Sequence, residues 1–132
     1  MTKFLIGTLL LLLTGVVGLF GVIAIGMAEP QRMALNGWMT PLFVPAEVRK
    51  TPLVAVCGEA VVSRSLQECG GICGEVYRVR YSSTEAEANL RERILRYAAD
   101  FPKYALTVGA GQTDRSSQCV PYTIEYYWDY SR

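Results

Sequence analysis

Histidine is absent from this sequence. With it go His-based acid–base catalysis, Ser–His and Cys–His nucleophiles, histidine metal sites and c-type haem attachment. Excess charge is nearly absent too: 13 Lys and Arg against 12 Asp and Glu leave a net charge of +1. That balance gives no ground for a nucleic-acid partner or for overall attraction to an anionic surface. Ser63, Ser65, Ser116 and Ser117 have no evident base, and the carboxylates are scattered. Gly70-Gly71 and Gly109-Ala110-Gly111 lack the strand–glycine–helix context of a phosphate loop. There is no internal repeat and no low-complexity tract. No cysteine precedes Cys57, so there is no lipoprotein lipobox; a twin-Arg pair and the early Glu of a type IV prepilin leader are missing as well. These absences predict a chain with no catalytic residues, no metal and no cofactor.

What is present begins with a long apolar run. Phe4 to Met27 covers 24 residues, 15 of them Leu, Ile, Val or Phe. As a helix it would be about 36 Å long at about 1.5 Å per residue, enough to cross a hydrocarbon core of about 30 Å with some tilt. A cleaved signal peptide is the rival reading, with Lys3 as its basic end and Gly26-Met27-Ala28 as a small-x-small cleavage site. The apolar stretch exceeds the usual signal core of about 7–15 residues, which favours an uncleaved anchor. Lys3 and the α-amino group precede the run, and all four cysteines follow it. An even cysteine count in a small domain suits an oxidising compartment. The expected topology is therefore single-pass in the inner (plasma) membrane of a bacterial-type envelope. The N-terminus is cytoplasmic and the C-terminal domain periplasmic or extracellular.

Gly7, Leu11, Thr14, Gly18, Gly21 and Ile25 fall on one heptad-like seam of this helix. Small residues there let a second helix approach closely, so Gly7, Thr14, Gly18 and Gly21 are candidate helix-packing positions. The opposing reading is that glycine is simply common in membrane helices.

Residues 29–51 read as a connector interrupted by Pro30, Pro41 and Pro45. Leu35, Trp38, Met39, Leu42 and Phe43 follow helical spacing, limited to a turn or two by Gly37 and Pro41. Trp38 and Phe43 are candidate anchors at the membrane–water boundary. The alternative is that this apolar set docks on a partner subunit.

Residues 52–132 read as an α+β domain in the order β–β–α–β–β, an antiparallel sheet with one packed helix. The strands are expected at Leu53 to Cys57, Val76 to Tyr81, Tyr104 to Val108 and Tyr122 to Tyr130. In the second, Tyr77, Val79 and Tyr81 share a face opposite Arg78 and Arg80. The helix is expected from about Glu85 to Ala99. Its signals are a Thr84/Glu87 capping box, an apolar stripe through Ala86, Leu90, Ile94, Tyr97 or Ala98, and Phe101, and two exposed i,i+4 pairs, Glu87–Arg91 and Glu92–Arg96.

Cys57, Cys69, Cys73 and Cys119 allow three pairings. The x3 spacing of CGGIC is neither that of a redox pair nor that of a zinc knuckle, so structural disulfides are expected. The favoured connectivity is Cys57–Cys119 with Cys69–Cys73, because Gly70 and Gly71 permit a tight turn; the crossed pairings link Cys57 to Cys69 or Cys73. Of the ten Tyr and Trp residues, five lie within Tyr122–Tyr130. A core face accounts for Tyr122, Tyr126 and Trp128 but not for Tyr127. Aromatics with arginine are the composition of interface hot spots, so Arg78, Arg80 and Tyr127 form a candidate partner surface. The functional expectation is a non-enzymatic accessory or assembly subunit whose partners are the lipid bilayer and other membrane-protein subunits. A membrane-anchored or secreted module that binds a peptide, glycan or small ligand is the alternative.

Overall fold

The computed structural model describes residues 1–27, 31–114 and 116–130. Ala28, Glu29 and Pro30, on which the cleavage-site reading and the start of the connector rest, lie outside them. The N-terminal apolar run is one helix, α1 (Thr2–Met27). Two of its polar side chains turn back on the backbone: Thr8 donates to the Phe4 carbonyl at 2.9 Å and Thr14 to that of Leu10 at 2.5 Å. Neither hydroxyl is left bare, as hydrocarbon surroundings require.

The rest is built on a five-stranded sheet: β1 (Gln31–Ala34), β2 (Val56–Glu68), β3 (Ile72–Ser83), β4 (Tyr104–Ala110) and β5 (Val120–Asp129). The spatial order is β1-β2-β3-β5-β4, and every neighbouring pair is antiparallel. Register assigns the faces. Val62 is opposite Val79, which is opposite Ile124, which is opposite Val108. Tyr77, Val79, Tyr81, Tyr122, Ile124 and Tyr126 are all buried on this face. Helix α4 (Glu87–Ala98) covers it with Leu90 and Ile94, both fully buried. Each such side chain stabilises the fold by about 1.5–3 kcal/mol through burial alone.

Several details differ from the sequence reading. The order is not simply β–β–α–β–β, because a strand and two single-turn helices, α2 (Thr40–Phe43) and α3 (Ala46–Arg49), come first. The segment read as a connector belongs to the domain: β1 pairs with β2, and Leu35, Val44 and Val48 enter the core. The helical spacing from Leu35 to Phe43 is not one helix. Gly37 bends the chain there, donating its N–H to the Ala34 carbonyl at 2.9 Å, and a Cβ on it would lie 3.0 Å from that same oxygen. Leu53 to Cys57 is not a buried strand. Val54, Ala55 and Val56 are exposed, and β2 starts at Val56 and runs much further, through a bulge between Cys57 and Val61 where Gly58 has φ 83°.

The Thr84/Glu87 capping box does not form. Ala86 is the N-cap residue, without a side-chain cap. Ser83 orders this entry instead: its hydroxyl donates to the Val54 carbonyl at 2.7 Å and accepts from the Glu85 N–H at 3.1 Å. Glu85 then takes both arms of the Arg93 guanidinium, and Arg93 Nε reaches the Pro52 carbonyl at 2.9 Å. The exposed pairs Glu87–Arg91 and Glu92–Arg96 are both made.

Candidate interaction surface

The sheet has one covered face and one open face, and the pleat decides which side chains reach each. Arg78 and Arg80 alternate with Tyr77, Val79 and Tyr81 and so lie on the open face of β3. Glu125 is opposite Arg78, Thr123 opposite Arg80 and Tyr127 opposite Val76. Arg78, Arg80 and Tyr127 are thus brought to one face, yet their situations differ. Arg78 Nε donates to Glu125 at 2.6 Å and its Nη1 to Ser65 at 3.4 Å, so it is tied into the sheet. Arg80 is exposed and makes no ion pair among the described residues; with Arg32, Glu59 and Thr123 it lines a shallow depression of about 420 Å³. Tyr127 is half-buried over Gly74. A Cβ on Gly74 would lie 2.5 Å from the Trp128 carbonyl and 3.3 Å from the Tyr127 ring. Gly74 is therefore required by the close approach of β5, and packing accounts for Tyr127.

The covered face carries a polar cluster that sequence reasoning missed. Glu75, 6% exposed, is opposite Leu66 on one side and Trp128 on the other. It pairs with Arg64 and accepts a hydrogen bond from the Tyr77 hydroxyl at 2.6 Å. Burial pushes the Glu75 carboxyl up, but the hydrogen bonds from Tyr77, Arg64 and Tyr130 together outweigh it and hold the group below its ordinary range. Beside this cluster runs an aromatic ladder of edge-on contacts, with Tyr104 5.8 Å from Tyr126 and 6.2 Å from Trp128, and Trp128 5.1 Å from Tyr130. Lys103 caps it, its ammonium 5.0 Å from the Tyr104 ring and 5.3 Å from that of Trp128. The tyrosine-rich end of β5 is therefore mostly core, with Tyr130 at its exposed margin.

Burial dominates the tyrosine chemistry. It raises Tyr77 beyond the ordinary phenol range, aided by the hydrogen bond to Glu75. Burial also pushes Tyr81 and Tyr126 up from 10.0 to about 12. A raised folded-state value means that the folded protein holds the phenol proton where the unfolded chain has released it. The associated stability is complete below about pH 10 and is lost as pH rises toward about 12. Denaturant unfolding across this range should therefore show stability flat up to about pH 10 and falling steeply above it. A fall that begins well below pH 10 would place the cause elsewhere.

The structure pairs Cys57 with Cys119, Cα atoms 6.4 Å apart, and Cys69 with Cys73, 6.0 Å apart. Gly70, in the turn between the latter two, has φ 80°. Such bonds suit an oxidising, extracytoplasmic location. Residues Lys3–Ala24 of helix α1 have mean hydropathy 2.5 with none of the span buried, long and apolar enough to cross a membrane. A Cβ at Gly7, Gly18 or Gly21 would meet nothing within 4 Å, and the Thr14 hydroxyl is satisfied within its own helix. The side chain of Ile25 lies outside the described residues. Of the two boundary candidates, Trp38 is 83% exposed, whereas Phe43 packs against the core. Among the described residues no group of three or more His, Cys, Asp or Glu is placed to hold a metal.

No family model matches the chain, and comparisons with curated proteins and with solved structures return no match.

Proposed function

We propose that the chain is a non-enzymatic, single-pass membrane accessory or assembly subunit. Its N-terminus lies in the cytoplasm, and its domain lies outside the inner (plasma) membrane of a bacterial-type envelope. It binds other membrane-protein subunits through the glycine seam of α1 and through the extracytoplasmic domain. The observation that carries this reading is the helix itself. Its own domain buries none of the apolar span, so its surface is left for lipid or for another helix. A specific observation favours a second reading as a ligand-binding module: a cleft of about 510 Å³ lined by Asn36, Arg49, Thr51 and Glu59 among others.

Co-purification in mild detergent separates the two. Stable membrane partners support the subunit reading, whereas a lone chain that takes up a soluble ligand supports the module. The decisive variant is Gly18→Leu. Because open space surrounds that position in the chain itself, leucine there disturbs nothing internal and keeps the helix apolar. Insertion should survive while the partner is lost, since a leucine forces two packed backbones apart. Leu13→Ala, off the seam, should retain the partner. Identical recovery of partners with Gly18→Leu and wild type would leave α1 as an anchor only.

A further inference from the structure

Among the described residues that follow α1, Trp38 is the most exposed large apolar side chain, at 83%, and Leu42, four residues on, is 63% exposed. Trp38 lies in the turn before α2 and Leu42 within α2, one on each side of Pro41. Phe43 and Val44 point the other way, into the core. Beside this apolar pair, Arg49 and Lys50 line a small depression that Pro41 also borders. The acid of α3, Glu47, makes its ion pair with Lys103 at 3.0 Å and feels the charge of Lys50 only as the smallest of its contributions. A backbone hydrogen bond at Glu47, followed by the bond from Lys103, keeps its carboxyl low and charged.

We infer that Trp38 and Leu42, with Arg49 and Lys50 behind them, dock the domain on the headgroup layer of the bilayer that α1 enters. This rests on the reading of α1 as a membrane anchor. Three observations favour lipid as the occupant. First, Trp38 follows Met27 by eleven residues. At no more than about 3.6 Å per residue it stays within about 40 Å of the helix end, and the turn at Gly37 shortens that reach. Contact with the bilayer is thus intramolecular, at an effective concentration in the millimolar range, so a small patch suffices. Second, two apolar side chains fall far short of the roughly 800 Å² per partner that a stable protein interface needs. Third, an indole and an aliphatic side chain match the apolar side of the membrane boundary, and the two cations beside them can meet headgroup phosphates.

The test uses the full chain reconstituted in phosphatidylcholine vesicles, with and without phosphatidylglycerol, containing lipids brominated near the headgroup end of the acyl chain. Subtracting the fluorescence of Trp38→Phe from that of wild type isolates Trp38 from Trp128. The expected result is that the Trp38 signal loses most of its intensity to the brominated lipid and is shielded from aqueous iodide. Lys50→Gln should weaken the quenching in vesicles with phosphatidylglycerol and leave it unchanged in phosphatidylcholine alone. Quenching by iodide but not by brominated lipid, in a chain that floats with the vesicles, would overturn the docking and leave the anchor standing. Shielding from both quenchers would assign the patch to a protein surface and overturn the lipid assignment. A chain that fails to float would overturn the anchor, and the docking with it.

Discussion

Cys119→Ser is expected to lower the stability of the domain by about 4 kcal/mol, and Cys69→Ser by only about 2. The Cys57–Cys119 bond closes a separation of 62 residues, against 4 for Cys69–Cys73. Loop-closure entropy in the unfolded chain grows with the logarithm of that length. The topology shows what the longer loop encloses: β3, α4 and β4 all lie between Cys57 and Cys119. Cys57 is opposite Ser82 and Val120 is opposite Ser83. The bond therefore joins the two strands that flank the end of β3, fixing the middle of the sheet from both sides. A loss of 4 kcal/mol corresponds to a fall in melting temperature of about 15–30 °C for a domain of this size. Thermal melts of the two variants, and of wild type with and without reductant, provide the check. Equal melting with and without reductant would show that the crosslinks are not what holds the domain together.

The parts of the fold that were legible in the sequence are those where one physical signal acts alone. The charge-free run gave α1 because nothing competes with apolar continuity. The period of two in Tyr77, Val79 and Tyr81 gave the core face of β3, and the period near 3.6 in Leu90 and Ile94 gave the buried stripe of α4. The largest miss, the length of β2 and the early start of β3, has a single cause. Arg64 and Glu75 occupy covered-face positions, where alternation calls for apolar residues. They can do so only because they pair with each other and with the Tyr77 hydroxyl. Read along one strand, each looks like the polar edge of a loop, and the pairing appears only across strands. The connector failed differently. Leu35, Val44 and Val48 reach the core only because β1 adds to the edge of β2, a long-range contact that local spacing does not encode. On the open face, composition groups Arg78, Arg80 and Tyr127 as one surface. The structure separates a tethered arginine, an exposed arginine and a tyrosine packed over glycine.

Tyr126→Ala should cost about 3–5 kcal/mol, the range for emptying a large aromatic site in a core. Tyr126 is fully buried at the centre of β5, opposite Tyr77 on β3 and Leu106 on β4. Its ring packs edge-on against Tyr104. Its hydroxyl lies 2.7 Å from that of Thr51, which in turn donates to the Val48 carbonyl at 2.6 Å. Tyr126 therefore donates and Thr51 accepts, which links the middle of the sheet to the end of α3. The side chain thus combines ring volume with one buried hydrogen bond, and the two contributions separate by substitution. Tyr126→Phe keeps the ring and leaves Thr51 with one unused lone pair, so it should cost only about 1 kcal/mol. Thr51→Val strands two partners, the phenol and the Val48 carbonyl, and should cost more than Tyr126→Phe. The double variant should lose less than the sum of the two, because the removed atoms were partners of each other. Denaturant unfolding of wild type and the four variants, with the slope compared as well as the midpoint, measures each term. A Tyr126→Phe loss as large as that of Tyr126→Ala would mean that the hydroxyl link, rather than the ring, holds α3 against the sheet.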